Sequence, residues 1–281
     1  MGIIDCHTHI VDPSHFDENF AADLRRAWGE LAWTGVSAEQ HWEEVKDLDG
    51  AIVLAFDAPA CGFVVPNEYV AEYVAQHPNR LVGFASVDPG RPDANARLDH
   101  AVNTLGLRGL KLGPIYQGFD PTSVEALRLF HQAEQLRLPV LIHQATTFIR
   151  YGALEWARPI LLDTVARACP DLVICAAHLG HPWCEELMVV VRKHPNMYMD
   201  ISALHTRPTQ LYFALRAAVE YRVTDRILFG TDFPFATVAQ TVDALHNVDR
   251  VTHGTGLPPI GDEVIEAIIK RDSFALLGLR D

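Results

Sequence analysis

Near the start of the chain, Asp5-Cys6-His7-Thr8-His9 sets two imidazoles two positions apart at the end of a short apolar run. Side chains alternate along a strand, so His7 and His9 would leave one face with their backbones roughly 7 Å apart, close enough to converge on one ion. Alone, a His-x-His pair is equally well read as chance polarity at a strand end. The same placement recurs, however. Leu141-Ile142 leads into His143-Gln144, Ala176-Ala177 into His178-Leu179-Gly180, and Gly230-Thr231 into Asp232-Phe233-Pro234. Burying four imidazoles and a carboxylate together without partners costs several kcal/mol, whereas one divalent cation satisfies them at once.

Such convergence requires elements whose C-terminal ends share one rim. Eight short apolar, β-branched runs separated by helix-like segments meet that need: 3–9, 51–56, 81–87, 107–112, 140–144, 172–179, 197–202 and 227–232. Most start 25 to 33 residues apart, the length of a strand plus a crossover helix. Their near-continuous apolar character predicts strands covered on both faces. Helices are expected over 121–136, opening on Asp120 with Pro121 at the first position, over 185–193 and over 262–270. The fold expected is a single-domain α/β chain over 1–281, a (β/α)8 TIM barrel with right-handed crossovers. An open doubly wound sheet is the rival, but the GxGxxG fingerprint is absent. One interval is long: residues 11–49 carry Trp28, Trp33, Trp42 and the Arg25-Arg26 pair, and are read as an insertion or lid over the C-terminal face of the barrel.

The sequences IIDCHTHI, RGLKLGP, AHLG followed by Pro182-Trp183, and RILFGTDFP resemble the amidohydrolase superfamily. The resemblance is to its amidohydrolase-related branch, which includes aminocarboxymuconate-semialdehyde and resorcylate decarboxylases and lactonases. It runs from Ile3 to about Leu279. It departs near the end, where Asp272-Ser273-Phe274-Ala275-Leu276 stands in place of the branch's Asn-Ala-x-Arg-Leu segment. The resemblance implies that His7, His9, His143 and Asp232 ligate one divalent ion, with zinc suited to three imidazoles and a carboxylate. It implies an acid/base or water-orienting role for His178, or a ligand role if a second ion binds, and lets Asp232 also accept a proton. Lys111, at the end of the fourth run, bears on the number of ions: two-metal members carry a carboxylated lysine there. An ionic contact to substrate or protein, and an outward-facing side chain, are the other two readings of Lys111.

Composition bounds the remainder. With 36 acidic against 23 basic residues the formal charge is −13, which argues against a general nucleic-acid or anionic-membrane surface. No stretch reaches about 18 unbroken apolar residues and the N-terminus lacks a basic, apolar leader pattern, so a cytoplasmic protein is expected. Five cysteines without a CxxC pair read as reduced, mostly buried thiols. Arg25 and Arg26 could clamp a substrate carboxylate, and Trp183 and His181 could line the pocket. Phe233, Pro234 and Phe235 would shape an apolar wall, and Asp5 could support the first ligand pair. His15, Tyr116, Arg150 and His205 are loose pocket candidates, whereas His77, His100, His131, His194 and His246 fall away from the rim. The leading expectation is a hydrolase of a small organic acid, amide, ester or lactone that uses metal-activated water. Non-oxidative decarboxylation or hydration of a carboxylated aromatic or muconate-type compound is the alternative, and a non-catalytic binding barrel a third. The partner expected is a small molecule such as a cyclic carboxylate, and the branch resemblance implies a homodimer.

Overall fold

A computed structural model describes residues 2–29 and 35–280. Trp33 therefore lies outside the described residues. Among the described residues there are ten strands: β1 (Ile4–Thr8), β2 (Gly50–Leu54), β3 (Phe56–Ala58), β4 (Phe63–Val65), β5 (Leu81–Ser86), β6 (Leu110–Leu112), β7 (Val140–Ile142), β8 (Ile174–Ala176), β9 (Met197–Asp200) and β10 (Ile227–Leu228). Between and after them run α1 (Glu18–Trp28), α2 (Ala38–Val45), α3 (Asn67–Val74), α4 (Ala94–Asn103), α5 (Pro114–Gln117) and α6 (Val124–Gln135). They are followed by α7 (Leu161–Ala168), α8 (Cys184–Lys193), α9 (Pro208–Tyr221), α10 (Val238–His246), α11 (Asp262–Ile269) and α12 (Ser273–Leu276).

Eight strands form one parallel sheet in the order β1-β2-β5-β6-β7-β8-β9-β10. Its edges meet through Cys6 N donating to Phe229 O (2.9 Å), Asp232 N to His7 O (2.8 Å) and His9 N to Phe233 O (2.9 Å). The sheet is thus a TIM barrel, as the eight runs predicted. β7, β8 and β10 are shorter than those runs because the chain leaves the ladder before His143, His178 and Asp232. The β3–β4 pair, an antiparallel hairpin after β2, was not foreseen. Its strands have three residues each, too few to show periodicity.

Burial follows the barrel geometry. An outer cluster fills the space between strands and helices, with Ala51, Val53, Val140, Ile142 and Met199 facing Leu98, Leu129, Phe130 and Leu215. A smaller inner cluster contains Ile4, Cys6, Ile52, Leu54, Phe84, Leu141 and Cys175, and is closed by Phe274, Leu277 and Leu279 from the C-terminal segment. That plug seats closely: a Cβ on Gly50 would lie 2.6 Å from the Phe274 ring. Local signals set the helix starts. Helix α6 begins at Val124 rather than Pro121, because the Ser123 side chain accepts from Ala126 N and caps the first turn. Ser37 and Thr237 form capping boxes with Gln40 and Gln240. Among the described residues no helix is long and apolar enough to cross a membrane.

Candidate metal centre and substrate pocket

The barrel brings His7, His9, His143, His178 and Asp232 to one rim, and each arrives by a local departure from regular structure. In β1, Asp5 pairs with Ala51 but Thr8 with Val53, so β1 holds one extra residue over that span. This bulge breaks the alternation, and the consecutive residues Cys6 and His7 both come close to Gly230. A Cβ on Gly230 would stand 3.0 Å from His7 Cβ and 3.3 Å from Cys6 Sγ. His143 follows the last residue of β7 and donates its backbone N–H to Leu112 O (2.8 Å). His178 (φ 59°) and Asp232 (φ 61°) both adopt left-handed backbone, which turns the chain sharply off β8 and β10.

Asp5 secures the seam between the first and last strands. It accepts from His7 N (3.0 Å), Thr231 N (3.1 Å) and Thr231 Oγ1 (2.7 Å). Burial raises its carboxyl to about 7 against the lowering effect of those bonds. The bulge also corrects the expectation from simple alternation that Asp5 shares a face with His7; its side chain bonds Thr231 instead.

At the rim, His7 Nε2 and His9 Nε2 each lie 3.3 Å from the same Asp232 oxygen, Oδ1. His7 Nδ1 faces Asp200 Oδ2 at 2.9 Å. A carboxylate accepts only, so Nδ1 carries the ring proton and Nε2 presents its lone pair to the centre. Lys111 Nζ stands 3.0 Å from that Nε2 and is buried, which removes the outward-facing reading. Burial lowers the Lys111 ammonium to about 8, with Asp232 and Asp200 opposing. Burial followed by the Lys111 charge holds His7 well below the usual imidazole range and His143 at about 3. His178 is also held low, by burial and then by the neighbouring His143 and His7. Asp232 is raised, with burial the main cause.

Asp200 and Ser202 complete a buried chain of polar contacts. Thr146 O meets His143 Nε2 (3.1 Å), His143 Nδ1 meets His178 Nε2 (3.0 Å), His178 Nδ1 meets Ser202 Oγ (2.7 Å), and Ser202 Oγ meets Asp200 Oδ1. These are four contacts, while two neutral imidazoles and one hydroxyl supply three protons. One contact lacks a proton unless an imidazole is charged, which burial opposes. Withdrawing His143 Nε2 from Thr146 O in favour of a cation lets three protons serve three contacts. His7, His9 and Asp232 offer donor atoms all within 4.8 Å of one another. The residues therefore fit a divalent cation held by His7, His9, His143 and Asp232, with His178 adjoining.

Two connected hollows open from this centre. The inner one, about 70 Å³, lies between His7, His9, Lys111, His178 and Asp232 and the rings of Phe20, Phe56, Phe63, Tyr116, Phe148 and Phe235. The outer one, about 280 Å³, continues past His143 and Asp232 to Trp28, His181, His205 and Arg207. Arg207 was missed by the sequence reading because it follows β9 by several loop residues and ends no strand. Among the described residues its guanidinium rests on the Ala203 carbonyl (2.8 Å) and over the Trp28 ring (6.0 Å) rather than on a carboxylate. His181 and His205 are both held below the usual range by burial and then by Arg207. Asp200 could have been found, since it too is a polar residue ending an apolar strand.

Other expected contacts do not form. Arg25 pairs with Glu18 on the exposed side of α1, away from the hollows. Trp183 lies in a separate groove with Phe213 and Ala217, its ring 5.7 Å from the Arg158 guanidinium, because the turn after His178 carries it outward. Arg26 and Arg150 serve structure instead: both bond Asp23, and Arg26 also donates to Phe148 O (2.7 Å). Tyr116 and Phe235 do line the hollows, while His15 packs against Tyr69. Phe233 lies against the His41 ring rather than in the hollows. His77 stacks on Trp42, and His194 and His246 pair with Asp163 and Glu266.

A barrel with histidines and an aspartate gathered at the C-terminal rim defines a class of metal-assisted enzymes, and the comparisons agree with it. The profile of the Amidohydrolase family matches residues 4–279, and the chain belongs to that family. A curated relative, 2-amino-3-carboxymuconate-6-semialdehyde decarboxylase of Dictyostelium discoideum, is 23% identical over 202 residues. That match covers 60% of this chain and 55% of the relative, so the chain aligns with only about half of the relative's length. Among solved structures, an uncharacterised TIM-barrel protein of Bordetella bronchiseptica superposes with a TM-score of 0.75 at 20% identity, covering 99% of each chain. A dihydroxybenzoic acid decarboxylase of Polaromonas sp. JS666, with manganese and 2-nitroresorcinol bound, gives 0.69 at 17%, covering 100% of this chain and 98% of that one. A probable 2-pyrone-4,6-dicarboxylic acid hydrolase of Acinetobacter baumannii with citric acid bound gives 0.68 at 14%, covering 99% and 100%. At these identities the solved structures speak for the fold.

Proposed function

We propose that this enzyme hydrolyses a small cyclic carboxylate, a lactone or related ester, at a single divalent cation held by His7, His9, His143 and Asp232. The observation that carries the reading is the meeting of His7 Nε2 and His9 Nε2 on one Asp232 oxygen, at the base of a hollow that ends on Arg207. When bound, a divalent cation polarises water or a substrate carbonyl, and zinc suits the donor set. The remaining tasks fall to side chains. Asp232, at the junction of the two hollows, takes the proton from the attacking water. His178, its ring fixed through Ser202 and Asp200, accepts from His143 Nδ1 and so orients that ligand toward the centre. Lys111 serves as an internal cation beside the same centre, an ionic contact rather than a bridge. Arg207 receives the substrate carboxylate, and the aromatic wall excludes water. Residues 11–49 act as a cover, since α1 contributes Ala27 and Trp28 to the hollow.

A second reading is supported by the wall itself. Loss of carbon dioxide disperses negative charge and gains from a dry, apolar site, and the inner hollow is lined largely by aromatic rings. The curated relative is named as a decarboxylase. Turnover in water labelled with heavy oxygen separates the two across a panel of lactones and hydroxybenzoates. Label in the product supports hydrolysis; carbon dioxide release without label replaces it with decarboxylation. Metal content of the Asp232→Ala protein equal to wild type would remove the proposed ligand set.

A further inference from the structure

Three side chains that could bind metal lie at the opposite end of the barrel. Helix α6 returns from the C-terminal end of β6 to the start of β7, so its last two turns, with His131 and Glu134, sit toward the N-terminal end. Cys169 follows α7 shortly before β8 and reaches the same place. His131 Nδ1 is 3.4 Å from Cys169 Sγ and 3.7 Å from Glu134 Oε2. All three donor atoms lie within 4.8 Å of one another.

We propose that His131, Glu134 and Cys169 form a second metal site, independent of the rim, for a borderline-soft divalent cation of the zinc type. Metal–sulfur bonds of about 2.3 Å and metal–nitrogen or metal–oxygen bonds of about 2.0–2.1 Å at tetrahedral angles give donor–donor edges of about 3.3–3.6 Å. Compared like for like, the N···S edge is about 0.2 Å shorter than the ~3.6 Å expected and the N···O edge about 0.4 Å longer than the ~3.3 Å expected, so a cation would draw the Glu134 carboxylate slightly inward. The other Glu134 oxygen, Oε1, accepts from Asp171 N (2.9 Å), which orients the carboxylate as outer partners of metal ligands do. His131 is about half exposed (49%) and Cys169 is buried, so an ion has a solvent approach and an open fourth position for water. Thiolate, carboxylate and neutral imidazole together match the charge of a divalent ion.

A hydrogen-bonded thiol and imidazole beside a carboxylate is the competing description, and it differs in proton balance. Burial, with the Glu134 charge adding to it, pushes the Cys169 thiol up to about 12, so the sulfur is protonated before a cation arrives. Coordination breaks the S–H bond and forms the sulfur–metal bond. The proton passes to solvent.

Cobalt(II) added to the chelator-treated full-length protein tests the site. The rim ligands include no cysteine, so a near-ultraviolet thiolate-to-cobalt charge-transfer band reports this cluster even when the rim fills. The band is expected to saturate once about one equivalent is bound beyond that taken by the rim, with release of about one proton. Cys169→Ser should abolish it, and the surface variant His131→Ala should weaken cobalt binding at least tenfold, whereas Asp232→Ala should leave it intact. Absence of the band in wild type overturns the proposal. So does a band of full strength in Cys169→Ser, which would place the thiolate at Cys6 or Cys175. Should Cys169→Ser fail to fold, an unchanged titration in His131→Ala overturns it as well.

Discussion

Asp232 meets two imidazoles through one oxygen, so removing its charge should be felt at every other group of the rim. Asp232→Asn keeps the shape but lowers the affinity for cation and removes a proton acceptor. Turnover should fall by about 10²–10⁴-fold, with metal content falling in parallel by elemental analysis. Arg207 acts differently, because it lies at the far end of the hollow and touches no ligand. Benzoate, used as a carboxylate probe, should bind Arg207→Ala about tenfold to a hundredfold more weakly, the worth of one charged hydrogen bond. Arg207→Lys should recover part of that loss, and an unchanged inhibition constant would remove Arg207 from the pocket's chemistry. The five rim residues were legible in sequence because each polar side chain ends an apolar run. Asp200 obeys the same rule and was passed over. Arg207 follows no rule of spacing and needed the fold.

Strand number and helix alternation were legible too, because continuous apolar runs of similar spacing leave few topologies. The departures at the rim were not. A bulge in β1 and left-handed residues at His178 and Asp232 place the side chains, and neither leaves a periodic trace. The three-residue strands of the hairpin are likewise below the length at which alternation can be read. The placement of α1 beside the pocket depends on contacts between distant segments. Asp23 of α1 is buried and accepts from Arg150 N (3.0 Å) and Nε (2.7 Å) and from Arg26. Burial alone would raise its carboxyl, but these bonds together hold it below the usual range. Asp23→Asn should cost about 1–3 kcal/mol locally. Limited proteolysis should then cut residues 144–160 faster than in wild type, and equal rates would show that α1 is held by its apolar face alone.

At the scale of the whole molecule, acid is the expected weakness. His41 is buried between Thr8 Oγ1 and Tyr73 Oη, each 2.8 Å away, and burial lowers it from 6.5 to about 3. Between these values the unfolded chain binds the proton and the folded chain does not. Stability therefore falls as pH falls through that window, by an amount of order 5 kcal/mol from this group over the whole window. In His41→Gln the decline of the thermal midpoint between pH 6.5 and 4 should be shallower than in wild type; parallel curves would exonerate His41.

The closure of the sheet has a temporal meaning. His7 and His9 leave the ribosome well before Phe229, Asp232 and Phe233, whose backbone groups fix the strand that carries them. A nascent chain or a fragment ending before β10 carries the histidine pair on an open sheet edge, without its carboxylate partner. The rim therefore cannot assemble until β10 and the turn through Phe233 have been made.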